Sequence, residues 1–240
     1  MNEHTSDTFL NGRIRVRQKR SGYRFSIDAV LLASFLQPRP GDRILELGTG
    51  CGIVSLILAH RHPEIDITAV EVQPELADTA IQNVSENRMS GRIAVYCRDM
   101  KTLPAPEIRE PVDWVVTNPP YRKTKSGRVN PDRQKAISRH EILVTLADVV
   151  TVSRRMLKTG GKLAFIYPAE RLGELITEMR QQGIEPKRLR TVHTTRKANA
   201  KLVLVEGVAG GRPGITVSPL LAIYLDNGAY TREVADMMDS

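Results

Sequence analysis

The 240-residue chain is short of the side chains that build metal centres and covalent active sites. Its two cysteines, Cys51 and Cys97, form no close pair and no metal-ligand spacing, which points to a reducing compartment. The five histidines, His4, His60, His62, His140 and His193, are scattered, and no zinc pattern can be drawn through them. There is no signal-peptide pattern and no apolar run long enough to span a bilayer. A cytoplasmic protein without metal or membrane partner is therefore expected. Internal repeats and low-complexity stretches are also missing, which excludes solenoid and linker-like architectures.

The length suits one large α/β domain with a substantial core, or two small ones. Positive charge is in excess: the net charge is +8 and the pI about 9.7. A basic chain is drawn to polyanions, and RNA is the commonest of these in a cytoplasm. Part of the excess lies near the start, where Arg13, Arg15, Arg17, Lys19, Arg20 and Arg24 crowd together. Ile14 and Val16 alternate with the first three, predicting a small strand or hairpin with one basic face. Residues 1–12 read as a polar, frayed end. Ser26 is placed to cap an apolar helix over residues 29–36, and Pro38 with Pro40-Gly41 closes this preamble. Residues 1–40 thus form a basic segment and helix, expected to close over a ligand site in a main domain of residues 41–240.

The main domain begins with a buried strand, Arg43-Ile44-Leu45-Glu46-Leu47, then Gly48-Thr49-Gly50-Cys51-Gly52 and a helix over residues 53–60. A glycine-rich turn between strand and helix lets a ligand approach the backbone closely. A dinucleotide fingerprint needs a third glycine one place further on, where Ile53 stands, so the spacing is G-x-G-x-G instead. A second strand, residues 66–70, ends in Glu71, about twenty positions after the glycine turn and suited to accept both hydroxyls of a ribose. Pro74 then opens a helix to about Arg88. A third strand over residues 92–97 leads to Asp99, which can accept a hydrogen from an adenine amino group, and Met100, which can pack on the ring. The alternative for Asp99 is a helix or turn cap.

A fourth strand, residues 112–117, ends at Asn118-Pro119-Pro120-Tyr121. Neither proline can donate to a ladder, and each restricts the residue before it, so this loop is stiff and extended. It holds the Asn118 amide oxygen and the Pro119 carbonyl as two rigid acceptors, suited to a planar amine. Tyr121 supplies an aromatic face for a flat ring. Residues 122–139 follow with seven Arg or Lys against one Asp, and turn signals but almost nothing apolar. A basic lid that orders on RNA is the reading here, with Arg122, Lys123, Lys125, Arg128 and Arg133 as RNA contacts.

A helix over residues 140–157 closed by Gly160-Gly161, a strand over 162–167 and a helix over 169–182 continue the alternation. Strands over 188–192 and 201–206 have no helix between them and are expected to be antiparallel neighbours. Their connection carries Arg196 and Lys197, further candidate RNA contacts. Residues 223–230 suggest a short strand and turn. Five rounds of strand and helix demand a mostly parallel sheet covered by helices on both faces, in an α/β fold. In such sheets ligands sit beyond the carboxyl ends of the strands, where Glu46/Gly48, Glu71, Asp99 and Asn118 all fall.

This constellation resembles a class I S-adenosylmethionine-dependent methyltransferase over residues 18–206. The likeness implies a Rossmann-like sheet of seven strands, mostly parallel with an antiparallel strand at its C-terminal side. Glu46 to Gly52 resembles the family's first motif, Glu71 its ribose-binding acid and Asp99 its adenine contact. The resemblance implies S-adenosyl-L-methionine as cofactor, held by Phe25, Glu46, Gly48, Gly50, Gly52, Glu71, Val72, Asp99, Met100 and Asn118. Asn118-Pro119-Pro120-Tyr121 resembles the amino-methyltransferase motif, which implies transfer to nitrogen with these four residues catalytic. Residues 22–32 look most like the bacterial tRNA adenine-N6 methyltransferases acting on a valine tRNA, which makes tRNA the expected partner. Protein-glutamine N5-methyltransferases share the tetrapeptide, and rRNA guanine-N2 methyltransferases are a second enzymatic alternative. A dinucleotide-dependent oxidoreductase and a silent RNA-binding module are alternatives from other classes, disfavoured by Ile53 and by the intact Asn118 with its glycine turn.

Overall fold

The computed structural model of the chain describes residues 4–19, 27–108, 110–119 and 144–239. The preamble forms an antiparallel hairpin of β1 (His4–Phe9) and β2 (Ile14–Lys19). The polar run expected to fray is thus a paired strand, because β2 lends it a full edge of backbone partners. Ile14 and Val16 are buried as their alternation predicts, with Arg15 exposed and Arg17 half-buried between them. Helix α1 (Ile27–Phe35) follows, apolar almost throughout and buried over most of its length.

Strands β3 (Arg43–Leu47), β4 (Asp66–Glu71), β5 (Ile93–Cys97) and β6 (Val112–Thr117) alternate with helices α2 (Ile53–Arg61) and α3 (Pro74–Glu86). Pro74 opens α3 where its missing N–H is harmless. Helix α4 (Leu146–Met156) is capped by a reciprocal pair, Thr145 and Asp148. It runs straight into β7 (Leu157–Pro168), so Gly160-Gly161 lies inside that strand and does not stop the helix. The pairing with β6 slips between Val112 and Trp114, a bulge in which Gly160 has φ +79 and a Cβ at Gly161 would lie 2.9 Å from the Lys158 carbonyl oxygen. The expected start of α4 at residue 140 lies outside the described residues. Helix α5 (Leu172–Gln181), β8 (Ile184–His193), β9 (Ala200–Ala209), β10 (Thr216–Val217), β11 (Leu221–Ala222) and α6 (Arg232–Asp239) complete the chain.

The main sheet runs β10-β8-β9-β7-β6-β3-β4-β5, with β11 also on β8. All neighbours are parallel except β9, which is antiparallel to β7 and to β8. The expected seven strands are present, and two two-residue strands extend the β8 edge beyond them. The strands are buried on both faces, so adjacent residues go to opposite cores. Ile44, Val116 and Ile166 join the core under α1, α2 and the hairpin. Leu45, Val115 and Phe165 join the core under α4 and α5. No helix among the described residues is long and apolar enough to cross a membrane.

Candidate active site

Register fixes the site before any side chain is considered. Leu47, the last residue of β3, pairs with Val70 on one side and Thr117 on the other, and Glu71 pairs with Cys97. Four parallel strands therefore end together, and the residues just past them stand in a row: Asp99, Glu71, Gly48 and Asn118. Backbone bonds hold the row closed. The amides of Gly48 and Thr49 both donate to the Val70 carbonyl, at 2.9 and 3.1 Å, and the Arg98 amide donates to that of Glu71 at 2.8 Å. The buried Thr117 hydroxyl donates to the Leu47 carbonyl at 3.0 Å, tying the base of the Asn118 loop to the base of the glycine turn.

The turn adopts a backbone that only glycine takes freely, with φ +72 at Gly48, +58 at Gly50 and +86 at Gly52. Gly52 begins α2, and a Cβ there would lie 3.3 Å from the Ala80 Cβ on α3. A Cβ at Gly48 would meet nothing within 4 Å, so open space lies beside the backbone at that point.

Two carboxylates hold this turn from opposite sides. Glu71 is 5% exposed; one oxygen accepts the Gly50 amide at 3.0 Å and the other accepts the Gln73 amide at 3.0 Å. Glu46 is 2% exposed beneath the turn. The two-residue strand period points it toward α2, where it accepts the Thr49 hydroxyl at 2.8 Å, the Ser55 amide at 3.1 Å and the Ser55 hydroxyl. Burial pushes its carboxyl from 4.5 up to about 7, against the lowering effect of the Ser55 and Thr49 hydrogen bonds. Burial also pushes the Cys51 thiol up to about 12, so it stays protonated and is no nucleophile.

At the tip of β5, Asp99 accepts the Lys101 amide at 2.9 Å and caps the single helical turn Met100–Thr102. The cap leaves Asp99 at the rim of the row, and Met100 packs half-buried against the α4 core beside it. Val72 is exposed just past Glu71. Asn118 and Pro119 are half-buried at the end of β6. Phe25, Pro120, Tyr121, Arg122, Lys123, Lys125, Arg128 and Arg133 lie outside the described residues. Arg196 and Lys197 are exposed in the turn between β8 and β9, three strands from β6 but at the same end of the sheet as Asn118.

Sequence reading missed Asn83. Fully buried in α3, its amide donates to the Cys51 carbonyl at 2.9 Å and the Arg17 carbonyl at 3.0 Å, while its oxygen accepts the Arg17 amide at 2.8 Å. Asn87, one turn on, grips Arg15 in the same way, at 2.9 and 2.7 Å. The pair acts as an artificial strand edge for β2 and joins the basic hairpin to the glycine turn. The signal was two Asn residues four apart in an amphipathic helix, facing the core.

Among the described residues, no group of three or more His, Cys, Asp and Glu is gathered for a metal ion. The row offers other chemistry: a glycine turn with open space beside its backbone, the Glu71 carboxylate, and the Asn118-Pro119 acceptors at the end of the adjoining strand.

Residues 21–179 match the sequence profile of the methyltransferase small domain family. The chain is 30% identical over 240 residues to the tRNA1(Val) (adenine(37)-N6)-methyltransferase of Porphyromonas gingivalis, covering 95% of this chain and 92% of that one. It is 28% identical to the protein of the same name from Tolumonas auensis, covering 97% and 95%. Among solved structures, a predicted O-methyltransferase from Agrobacterium tumefaciens superposes with a TM-score of 0.71 at 23% identity, covering 88% of this chain and 95% of that one.

Proposed function

We propose, for a chain that belongs to the methyltransferase small domain family, that it transfers a methyl group from S-adenosyl-L-methionine to the exocyclic N6 amine of an adenine in tRNA. Adenine 37, beside the anticodon, is the target named for its relatives and the one we assign here. The observation that carries this reading is the shared edge on which the glycine turn, Glu71, Asp99 and the Asn118-Pro119 loop end.

The residues fit the cofactor. The open space at Gly48 admits its amino-acid portion against the backbone, Glu71 faces its ribose, and Asp99 with Met100 and Val72 takes its adenine. Phe25, outside the described residues, would close over it. Glu46 acts one step back by fixing the turn, through Thr49 and Ser55. When bound, S-adenosyl-L-methionine supplies a sulfonium methyl group that is already activated.

Alignment and charge stabilisation are left to the protein. An adenine amine is a poor nucleophile because its lone pair is delocalised into the ring. Asn118 Oδ1 and the Pro119 carbonyl accept its two N–H hydrogens, favouring a nitrogen nearer sp³ and the positive charge that develops on it. Pro119 and Pro120 keep these acceptors rigid, so little reorganisation is needed. Tyr121 stacks on the adenine, which has to leave the RNA stack to be reached. Arg122, Lys123, Lys125, Arg128 and Arg133 neutralise phosphates around it, and Arg196 and Lys197 meet the RNA farther along the sheet.

The test is methyl transfer from labelled S-adenosyl-L-methionine to tRNA, rRNA and release factors in parallel, with RNA from cells lacking this gene. Digestion of the tRNA should yield labelled N6-methyladenosine. Label only in guanosine of rRNA, or in protein, overturns the substrate assignment.

A further inference from the structure

The edge of the sheet farthest from the glycine turn carries a feature that methyl transfer leaves unused. Because β9 is reversed, β8 runs parallel to β7, and its end at His193 faces the same way as the end of β6 at Thr117. At the strand spacing of a sheet, three steps place β8 roughly 14 Å from β6. Beyond His193 lies the exposed turn of residues 194–199, with Arg196 and Lys197, followed by the exposed Lys201.

A hook of residues 223–231 is fastened to this turn. The Ile223 amide donates to the His193 carbonyl at 2.9 Å and the Tyr224 amide to that of Thr194 at 2.8 Å. Tyr224 and Tyr230 bridge the neck of the hook, and their rings stack with centroids 5.2 Å apart and planes 15° apart. Tyr230 remains 42% exposed and Leu225, at the tip, 47%. The ion pair of Lys197 with Asp226, at 3.5 Å between largely exposed side chains, is weak enough to give way to a phosphate. Tyr224 is half-buried under the stack, and Tyr230 leaves part of its ring open to solvent. Aromatic faces beside cations that track a backbone are the means by which proteins hold unpaired nucleotides.

We propose that the Tyr224–Tyr230 stack and the turn bearing Arg196 and Lys197 form a second RNA-contacting surface. An unpaired base of the substrate stacks on the open face of Tyr230, and its flanking phosphates meet Arg196 and Lys197. This surface grips the RNA two strands beyond β7 while the target adenine reaches Asn118. The inference rests on the RNA reading given above.

The test compares full-length wild type with Tyr230→Ala, Tyr230→Phe and the double variant Arg196→Ala/Lys197→Ala. The readouts are steady-state methylation of an in vitro tRNA transcript, affinity for that transcript across a salt series, cofactor affinity by calorimetry, and melting temperature. Tyr230→Ala should raise KM for the tRNA about 5- to 20-fold, the loss falling on KM more than on kcat, with Tyr230→Phe near wild type. The double variant should lower the slope of log affinity against log salt by about 1.5. Cofactor affinity and melting temperature should stay at their wild-type values. A folded Tyr230→Ala protein with unchanged KM, beside a wild type that methylates tRNA, overturns the second surface alone. A wild type that labels no RNA overturns the parent reading and this one together.

Discussion

A carboxylate oxygen of Glu71 accepts the amide hydrogen of Gly50 at 3.0 Å, across the mouth of the glycine turn. The acid assigned to the ribose thus also shapes the turn that receives the rest of the cofactor. Ligand affinity and loop geometry are carried by one side chain.

Replacing Glu71 with Ala should therefore damage binding twice, by removing the ribose acceptor and by leaving the Gly50 amide unpaired. Together these should weaken S-adenosyl-L-methionine binding about 10- to 100-fold, the scale of a lost charge-assisted hydrogen bond. Calorimetric titration with the cofactor measures this, and an affinity within threefold of wild type would refute the assignment.

Asn118→Ala separates binding from turnover. Its proposed contact is with the methyl acceptor as charge develops, so cofactor affinity should change little while kcat falls about 10²- to 10³-fold. Single-turnover methylation beside a cofactor titration checks both halves. Equal losses in the two would place Asn118 in cofactor binding alone.

Glu46 makes stability depend on pH. Its carboxyl rises from 4.5 in the unfolded chain to about 7 in the fold. Below 4.5 both states are protonated and the contribution is fully present. As pH rises from 4.5 through 7 the unfolded chain releases its proton first, so stability falls by about 3 kcal/mol and then levels off. Glu46→Gln keeps an acceptor for Thr49 and Ser55 and cannot ionise. Urea unfolding at pH 5 and pH 8 should show a smaller difference between the two pH values for the variant than for wild type.

Asn83→Ala should loosen the basic hairpin. It removes three buried hydrogen bonds, two of them to Arg17 and one to the Cys51 carbonyl, and should cost about 2–4 kcal/mol. Hydrogen exchange at the Arg17 amide should accelerate more than at amides in β6. Uniform acceleration would mean that Asn83 supports the core in general and not the hairpin in particular.

What was legible in the sequence depended on side-chain pattern. Most core strands, β3 to β7 and β9, carry apolar runs bounded by glycine, proline or charge, and the row of site residues follows from the ends of β3 to β6; β8, with Glu185, Pro186, Lys187, Arg188 and Arg190, was legible only in its second half. Strand β1 carries no such pattern, being polar and defined by the backbone edge of β2. Strands β10 and β11 are two residues each, too short for any period to show. The role of Glu46 was hidden because a motif names residue types without their direction; the period of β3 was the available cue. The spacing of Asn83 and Asn87 was visible, but the hairpin backbone groups they hold lie more than sixty residues away, and spacing does not name a distant partner.

The reversed strand β9 has a consequence for descent. It stands between the strands that end in the glycine turn and those that end in the outer turn and hook, paired with both neighbours along its length and pinned to them by the ion pairs of Glu206 with Lys162 and Arg188. Changes on the outer edge are thereby insulated from the cofactor grip. A lineage built on this sheet is free to redraw which nucleic acid it accepts while inheriting the same chemistry intact.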